Sequence, residues 1–163
     1  MSKFTHNPLK TCILRIAGLR SVLGAMFGMT RVNPDGSPRA HQGVDLATDK
    51  GYRVYAVENC KVVAVSQELK GYGFTVTLEN DCPHKPELHG NFPFYSHLSR
   101  IDVKVGQVLK AGRQIGLSGD TGNAKGMTTK AKGGHVHFEL RTSRRPGLGL
   151  AGRIDPLPFI TLS

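Results

Sequence analysis

Four of the seven histidines in this chain stand in patterned surroundings. His41 opens the motif "HQGVD" and is followed four residues later by Asp45. His135 and His137 stand one residue apart in "GGHVHFEL", and His97 lies in "FYSHLS". Neutral imidazole and carboxylate are common ligands of divalent metals, and imidazole also titrates near neutral pH. His41, Asp45 and one histidine of the "HVH" pair make a set of two imidazoles and one carboxylate. Three protein ligands with a fourth position left to water is the arrangement of a catalytic rather than a structural zinc. The other histidine of the pair and His97 are then free for proton transfer or for stabilising a transition state. His6, His84 and His89 have no comparable setting and read as surface or loop positions, with His84 and His89 in a loop that could meet substrate.

These residues need rigid elements to hold them. In an extended "GGHVHFEL", His135, His137 and Glu139 share one face while Val136, Phe138 and Leu140 share the other. The apolar set reads as a core stripe and the histidines as a surface addressed to a ligand. Same-face neighbours sit about 6–7 Å apart at the backbone, close enough to serve one small site. His41 and Asp45, at i and i+4, fall on one face of a strand as they would on a helix. The segments "HQGVDLAT", "YRVYAVEN", "CKVVAVSQ", "GFTVTLEN", "FPFYSHLS", "GQVLKAG", "RQIGLSG" and "GHVHFELR" all read as short strands broken by turns. With 20 Gly and 9 Pro, the chain is predicted to be mainly β, an antiparallel sandwich or roll. A hairpin pairing Gln67 with Phe74 brings Cys60 nearly opposite Asp81. A Cys60–Cys82 disulfide is therefore within reach, although two free thiols is the simpler expectation. The glycines between Gly106 and Gly122 read as turn chemistry. They lack the Lys-Ser/Thr of a phosphate-binding loop, so no nucleotide site is expected. Two long polar loops, residues 81–91 and 120–134, each lead into a histidine-bearing strand and are expected to shape a cleft.

At 163 residues the chain suits one domain, and its net charge of +10 suits a polyanionic partner. No aromatic-basic pattern of nucleic-acid recognition accompanies that charge, so nucleic acid is not an expected partner. No apolar run has the length of a membrane span. The segment "TCILRIAGLRSVLGAMFGM" is interrupted by Arg15 and Arg20 and fits a signal peptide poorly. It is predicted to be a short amphipathic helix, giving an N-terminal segment, residues 1–23, packed on a domain of residues 24–163.

The motifs "FGMTRVNPDGSPRAHQGVDLAT", "YGFTVTLEN", "FYSHLS", "VKVGQVLKAGRQIGLSGDTG", "GGHVHFELR" and "IDPLPFI" occur in the order of the M23 family. Across roughly residues 24–160 the chain resembles these zinc metallopeptidases, the LytM or lysostaphin-type peptidoglycan endopeptidases. The resemblance implies the LytM-type fold (a duplicated hybrid motif) with one zinc in a narrow groove. It also implies His41, Asp45 and His137 as ligands, and His97 and His135 as catalytic base and transition-state stabiliser in either order. Substrate contacts are expected at Arg31, Tyr95 and Gly134. Where the family has a proline before its "HxH" this chain has Gly134, and Val136 replaces the commoner leucine. The segment before "GGHVH" and the 81–91 loop are longer than in compact relatives, and the arginine after "FG" is displaced to Arg31. The Gly134 and Val136 replacements leave the zinc chemistry untouched, and the two longer segments bear on specificity. The implied activity is hydrolysis of peptidoglycan crosslinks; a non-catalytic wall-binding or amidase-activating module and an amidase are the alternatives. With no evident leader, the expectations extend to a monomeric antibacterial effector that acts in the periplasm or cell wall and is countered by a cognate immunity protein. A trimmed leader and a phage lysis role are the other routes to the wall.

Overall fold

In a computed structural model, which describes residues 2–163, the alternating segments become strands. They are β1 (Gly28–Val32), β2 (Pro38–His41), β3 (Val44–Ala47), β4 (Arg53–Tyr55), β5 (Cys60–Gln67), β6 (Phe74–Asn80), β7 (Phe92–Ile101), β8 (Val108–Leu109), β9 (Gln114–Ser118), β10 (His135–Arg141) and β11 (Arg153–Ile154). β1 and β2 form a two-stranded ribbon. The other strands form one antiparallel sheet in the order β11-β10-β7-β6-β5-β8, with β3 paired to β10 and β9 joining β7 to β4. The mainly β, antiparallel expectation holds.

The sheet buries one apolar face. Val136, Phe138 and Leu140 of β10 are fully buried together with Leu46, Val76, Leu78, Leu98 and Ile115. Burying a side chain of this size contributes about 1.5–3 kcal/mol, so this layer is what holds the strands in register. The opposite face of β10 is polar as expected, but it is not solvent-facing: His135, His137, Glu139 and Arg141 are buried too. The polar face is itself covered by other parts of the chain.

The N-terminal segment corrects an expectation. No α-helix forms among the described residues, and the helical portion of residues 12–30 is a single 3-10 turn, Val22–Ala25. Residues 9–15 instead run extended: Leu9 bridges Val54 and Leu14 bridges Leu46. Ala47 N donates to Ile13 O at 2.7 Å and Arg15 N to Asp45 O at 3.0 Å, adding a strand-like edge to β3. Cys12 and Leu14 turn inward while Ile13 is exposed, a period of two rather than 3.6. A short helix in water has little stability of its own, whereas the open edge of β3 offers backbone partners.

The β5–β6 hairpin begins as predicted, with Gln67 opposite Phe74. A bulge between Val62 and Ala64 then shifts the ladder by one residue, so Cys60 faces Asn80 rather than Asp81. Cys60 and Cys82 are buried free thiols. Burial pushes them up to about 12 and about 11, a poor setting for reactivity.

Gly43, in the turn between β2 and β3, lies directly against β10. An added Cβ would collide with the Phe138 carbonyl oxygen and sit 2.9 Å from Glu139 Cγ. Gly43→Ala is therefore expected to push β3 off β10 and destabilise the fold by about 1–3 kcal/mol, read by urea unfolding. Unchanged stability would mean that the strands are not held this tightly.

Candidate active site

The pairing of β3 with β10 builds the centre. Their antiparallel register sets Asp45 directly opposite His137, and directly opposite residues project from the same face. His41, the last residue of β2, comes back over the pair through the tight Gln42–Gly43 turn. His137 Nδ1 lies 3.0 Å from Asp45 Oδ1, and His41 Nε2 lies 3.1 Å from the same oxygen. His41, Asp45 and His137 each offer a ligand atom, and these atoms all lie within 4.8 Å of one another.

The remaining atoms of the three residues are held by neighbours. His41 Nδ1 bonds the Met26 carbonyl at 2.9 Å, which keeps its proton there and leaves the Nε2 lone pair facing the centre. His137 Nε2 bonds Glu139 Oε2 at 2.8 Å, and Glu139 Oε1 accepts from Arg141 Nε at 2.8 Å and Arg153 Nε at 2.7 Å. Asp45 Oδ2 accepts from Arg31 Nη2 at 2.7 Å and Arg15 Nη1 at 3.2 Å. Burial opposes charge on Asp45, but the hydrogen bond from His137 and the nearby imidazoles hold its carboxyl well below the usual range. Burial likewise opposes charge on His137, yet Asp45 and Glu139 on its two nitrogens raise it to about 9. Burial disfavours the Glu139 carboxylate too, and His137 with the two arginines outweighs it, keeping Glu139 ionised.

Two imidazole nitrogens and a carboxylate oxygen thus converge in a pocket that stabilises positive charge. Ligand atoms on a tetrahedron with bonds near 2.0 Å stand about 3.3 Å apart, close to the spacings found here. The donor set fits a divalent metal, and the carboxylate bonded to His137 Nε2 is the outer partner that ligating histidines usually have.

His97 and His135 stand beside this centre, with ring centroids 5.0 Å apart. His135 Nδ1 bonds the Gly133 carbonyl at 2.7 Å and His97 Nδ1 the Thr121 carbonyl at 2.8 Å, so each carries its proton on Nδ1 and a lone pair on Nε2. Burial lowers His135 to about 4, and burial with the neighbouring imidazoles lowers His97 to about 3; both are neutral at physiological pH. His97 is the one non-glycine residue with positive φ among those described, at 59°. Left-handed backbone costs such a residue on the order of 1 kcal/mol and is concentrated at functional sites. A neutral buried histidine must be charged by acid. The His97 contribution to stability is therefore complete above about pH 6.5 and is lost as pH falls toward 3. In His97→Asn, which tolerates this φ, the pH dependence of unfolding across that window is expected to weaken by about one proton, measured by urea titration of chelator-treated protein.

Of the expected substrate-contacting residues, Arg31 is drawn into the centre, its Nη2 also lying 3.2 Å from His41 Nε2. Gly134 is buried at the entry to β10, where its carbonyl accepts from Thr48 N. Tyr95 is a correction: it is fully buried, with its ring edge-on to Phe138 at 5.1 Å. It stands opposite Phe138 in the β7–β10 register and so shares the apolar face. The aromatic at the centre is Tyr72, stacked on His137 at 5.7 Å and 21° with its hydroxyl hydrogen-bonded to Gln42 Nε2. An aromatic between Gly71 and Gly73, inside a hairpin turn, was the available signal. Arg15 carried no such signal. In the 81–91 loop, His89 Nδ1 accepts from Cys82 N, a structural bond, and His84 is exposed.

Fold and donor set define the class: an antiparallel β protein with a candidate metal site of two imidazoles and one carboxylate. Residues 39–147 match the sequence profile of peptidase family M23, and the chain belongs to that family. It is 34% identical over 121 residues to the glycyl-glycine endopeptidase ALE-1 of Staphylococcus capitis, covering 74% of this chain and 29% of that protein. It is also 34% identical over 106 residues to the peptidoglycan DD-endopeptidase ShyB of Vibrio cholerae, covering 65% and 21%. Among solved structures, a zinc-containing peptidase from Vibrio cholerae superposes with a TM-score of 0.66 at 27% identity, over 95% of this chain and 39% of that one. The catalytic domain of lysostaphin from Staphylococcus simulans superposes with a TM-score of 0.60 at 27% identity, over 83% and 87%. The chain spans less than a third of the length of these curated relatives.

Proposed function

We propose that the protein is a zinc-dependent endopeptidase acting on the peptide crosslinks of bacterial peptidoglycan. The observation that carries this reading is the convergence of His41 Nε2, Asp45 Oδ1 and His137 Nδ1 beside two neutral imidazoles. Zinc held by those three residues would supply an acidified water and polarise the scissile carbonyl. His135 is the general base of this reading. Its Nε2 carries a lone pair, and Asp45 Oδ2 at 3.8 Å favours the imidazolium formed once the proton is accepted. The same Nε2–H then delivers the proton to the leaving amine. His97 stands beside it for the transition-state contact, and Arg31 and Tyr72 line the substrate side of the centre. Family members carrying such names as glycyl-glycine endopeptidase and DD-endopeptidase attack different crosslinks, so the bond is a matter for measurement.

The test is digestion of purified sacculi of both crosslink types, with muropeptides identified by mass spectrometry. Release of new amino termini that stops with a zinc chelator and returns with added Zn2+ is the expected result. Chelator-resistant digestion overturns the metal mechanism, cleavage at the amide joining muramic acid to the peptide makes the protein an amidase, and binding without cleavage makes it a wall-binding module. A narrower reading is an antibacterial effector delivered into a rival's wall and countered by an immunity protein; the small basic domain supports it. It predicts that a neighbouring exported protein binds the groove and blocks digestion.

A further inference from the structure

Beside the candidate metal centre stands a residue far from its motifs. Arg15 lies in the N-terminal strap, outside the residues 39–147 that match the family. Its side chain is nevertheless buried, with 7% exposure, and its guanidinium is pinned on several sides. Nη1 donates to Asp45 Oδ2 at 3.2 Å, Nε donates to the Ala17 carbonyl at 3.0 Å, and Nη2 lies 3.9 Å from Met127 Sδ. The slot around it is made by two glycines. A Cβ on Gly18 would sit 2.9 Å from Nη2, and one on Gly133 would sit 3.1 Å from the same atom. Both have positive φ, +80° and +85°, which a side chain would strain. Gly133 is also the residue whose carbonyl holds His135 Nδ1. The strap itself is anchored independently of this contact: Leu9 and Leu14 are in the core, and Arg15 N and Ile13 O pair with β3.

A carboxylate that gives one oxygen to a metal can rotate about its Cβ–Cγ bond unless the other oxygen is held. Arg31 holds Asp45 Oδ2 with a partly exposed side chain, whereas Arg15 holds it from inside the fold. We propose that Arg15 is a positioning residue of the metal centre: seated between Gly18 and Gly133, it fixes the Asp45 rotamer that turns Oδ1 toward His41 and His137. The N-terminal strap is thereby part of the working site and not only a cover for the core. The inference rests on the zinc reading above, because it concerns how firmly these residues hold the ion. Removing outer partners of this kind commonly weakens metal affinity by about 10–100-fold.

The test measures zinc affinity by chelator competition in the full chain, together with the visible spectrum of the Co2+-loaded protein and the unfolding of the metal-free form. Arg15→Met is expected to bind zinc about 10–100-fold more weakly and to shift the Co2+ spectrum. Arg15→Lys keeps the charge but cannot bridge Asp45 and the Ala17 carbonyl as the planar fork does, so it should weaken binding by less. If Arg15→Met does not fold, Arg15→Lys decides. Wild-type zinc affinity and an unchanged spectrum in the folded variants overturn the proposal, even where metal-free stability falls. Failure of the wild type itself to bind zinc, with His137→Ala as the matched control, overturns the zinc reading and this inference with it.

Discussion

His137→Ala is expected to reduce wall digestion to the level of the buffer control and to abolish stoichiometric zinc binding, while the protein remains folded. The expectation follows from what surrounds the ring. His137 Nδ1 faces Asp45 Oδ1 and its Nε2 is held by Glu139, so alanine removes one of three donor atoms and leaves Glu139 no imidazole to orient. Two remaining protein ligands do not make the three-ligand, one-water arrangement of catalytic zinc sites. The fold should survive because both carboxylates keep counter-charges: Asp45 retains Arg15 and Arg31, and Glu139 retains Arg141 and Arg153. A loss of about 1–3 kcal/mol is expected for the broken hydrogen bonds, since no buried charge is left alone. Metal analysis by inductively coupled plasma mass spectrometry and urea unfolding check both halves. Zinc retained at one ion per chain, with digestion intact, would remove His137 from the centre.

His135→Ala should separate chemistry from metal binding. His135 Nε2 lies 3.8 Å from Asp45 Oδ2, farther than His41 Nε2 or His137 Nδ1 lies from Oδ1, and its Nδ1 is committed to Gly133. Its loss is expected to lower kcat by about 10²–10⁴, the usual contribution of a positioned acid–base group, with zinc content unchanged. KM should move far less, because a group that acts on a proton in flight adds little to ground-state binding. The measurement is kcat and KM on a defined crosslinked muropeptide beside zinc stoichiometry. Loss of zinc would make His135 a ligand, and full activity would pass the proton transfer to another group.

Much of the fold was legible in the chain, for a local reason. Alternation in "HVHFEL" set His135, His137 and Glu139 on one face of β10 and Val136, Phe138 and Leu140 on the other, because the pleat depends on neighbouring residues alone. The turn end of the β5–β6 hairpin, Gln67 opposite Phe74, was equally readable, and the register went astray only past the bulge at Val63. The N-terminal strap was misread because the apolar residues of "CILRIAGL" suit more than one period. What decided it was the open edge of β3, a partner absent from the segment's own composition. Tyr95 was misplaced for a related reason, since its face is set by pairing with Phe138 across β7 and β10.

By itself the sequence determined the donor types, their intervals and the strands that carry them, and its order of motifs marked the family. Only the tertiary structure decided that Asp45 stands opposite His137 and that its second oxygen is held by Arg15 from a strap thirty residues away. It also decided that His135 and His97 are buried neutral and that Tyr72, not Tyr95, faces the centre. Periodicity is a property of adjacent residues along the backbone. Register, burial and the carboxylate's rotamer are set by groups distant in the chain, and no local pattern encodes them.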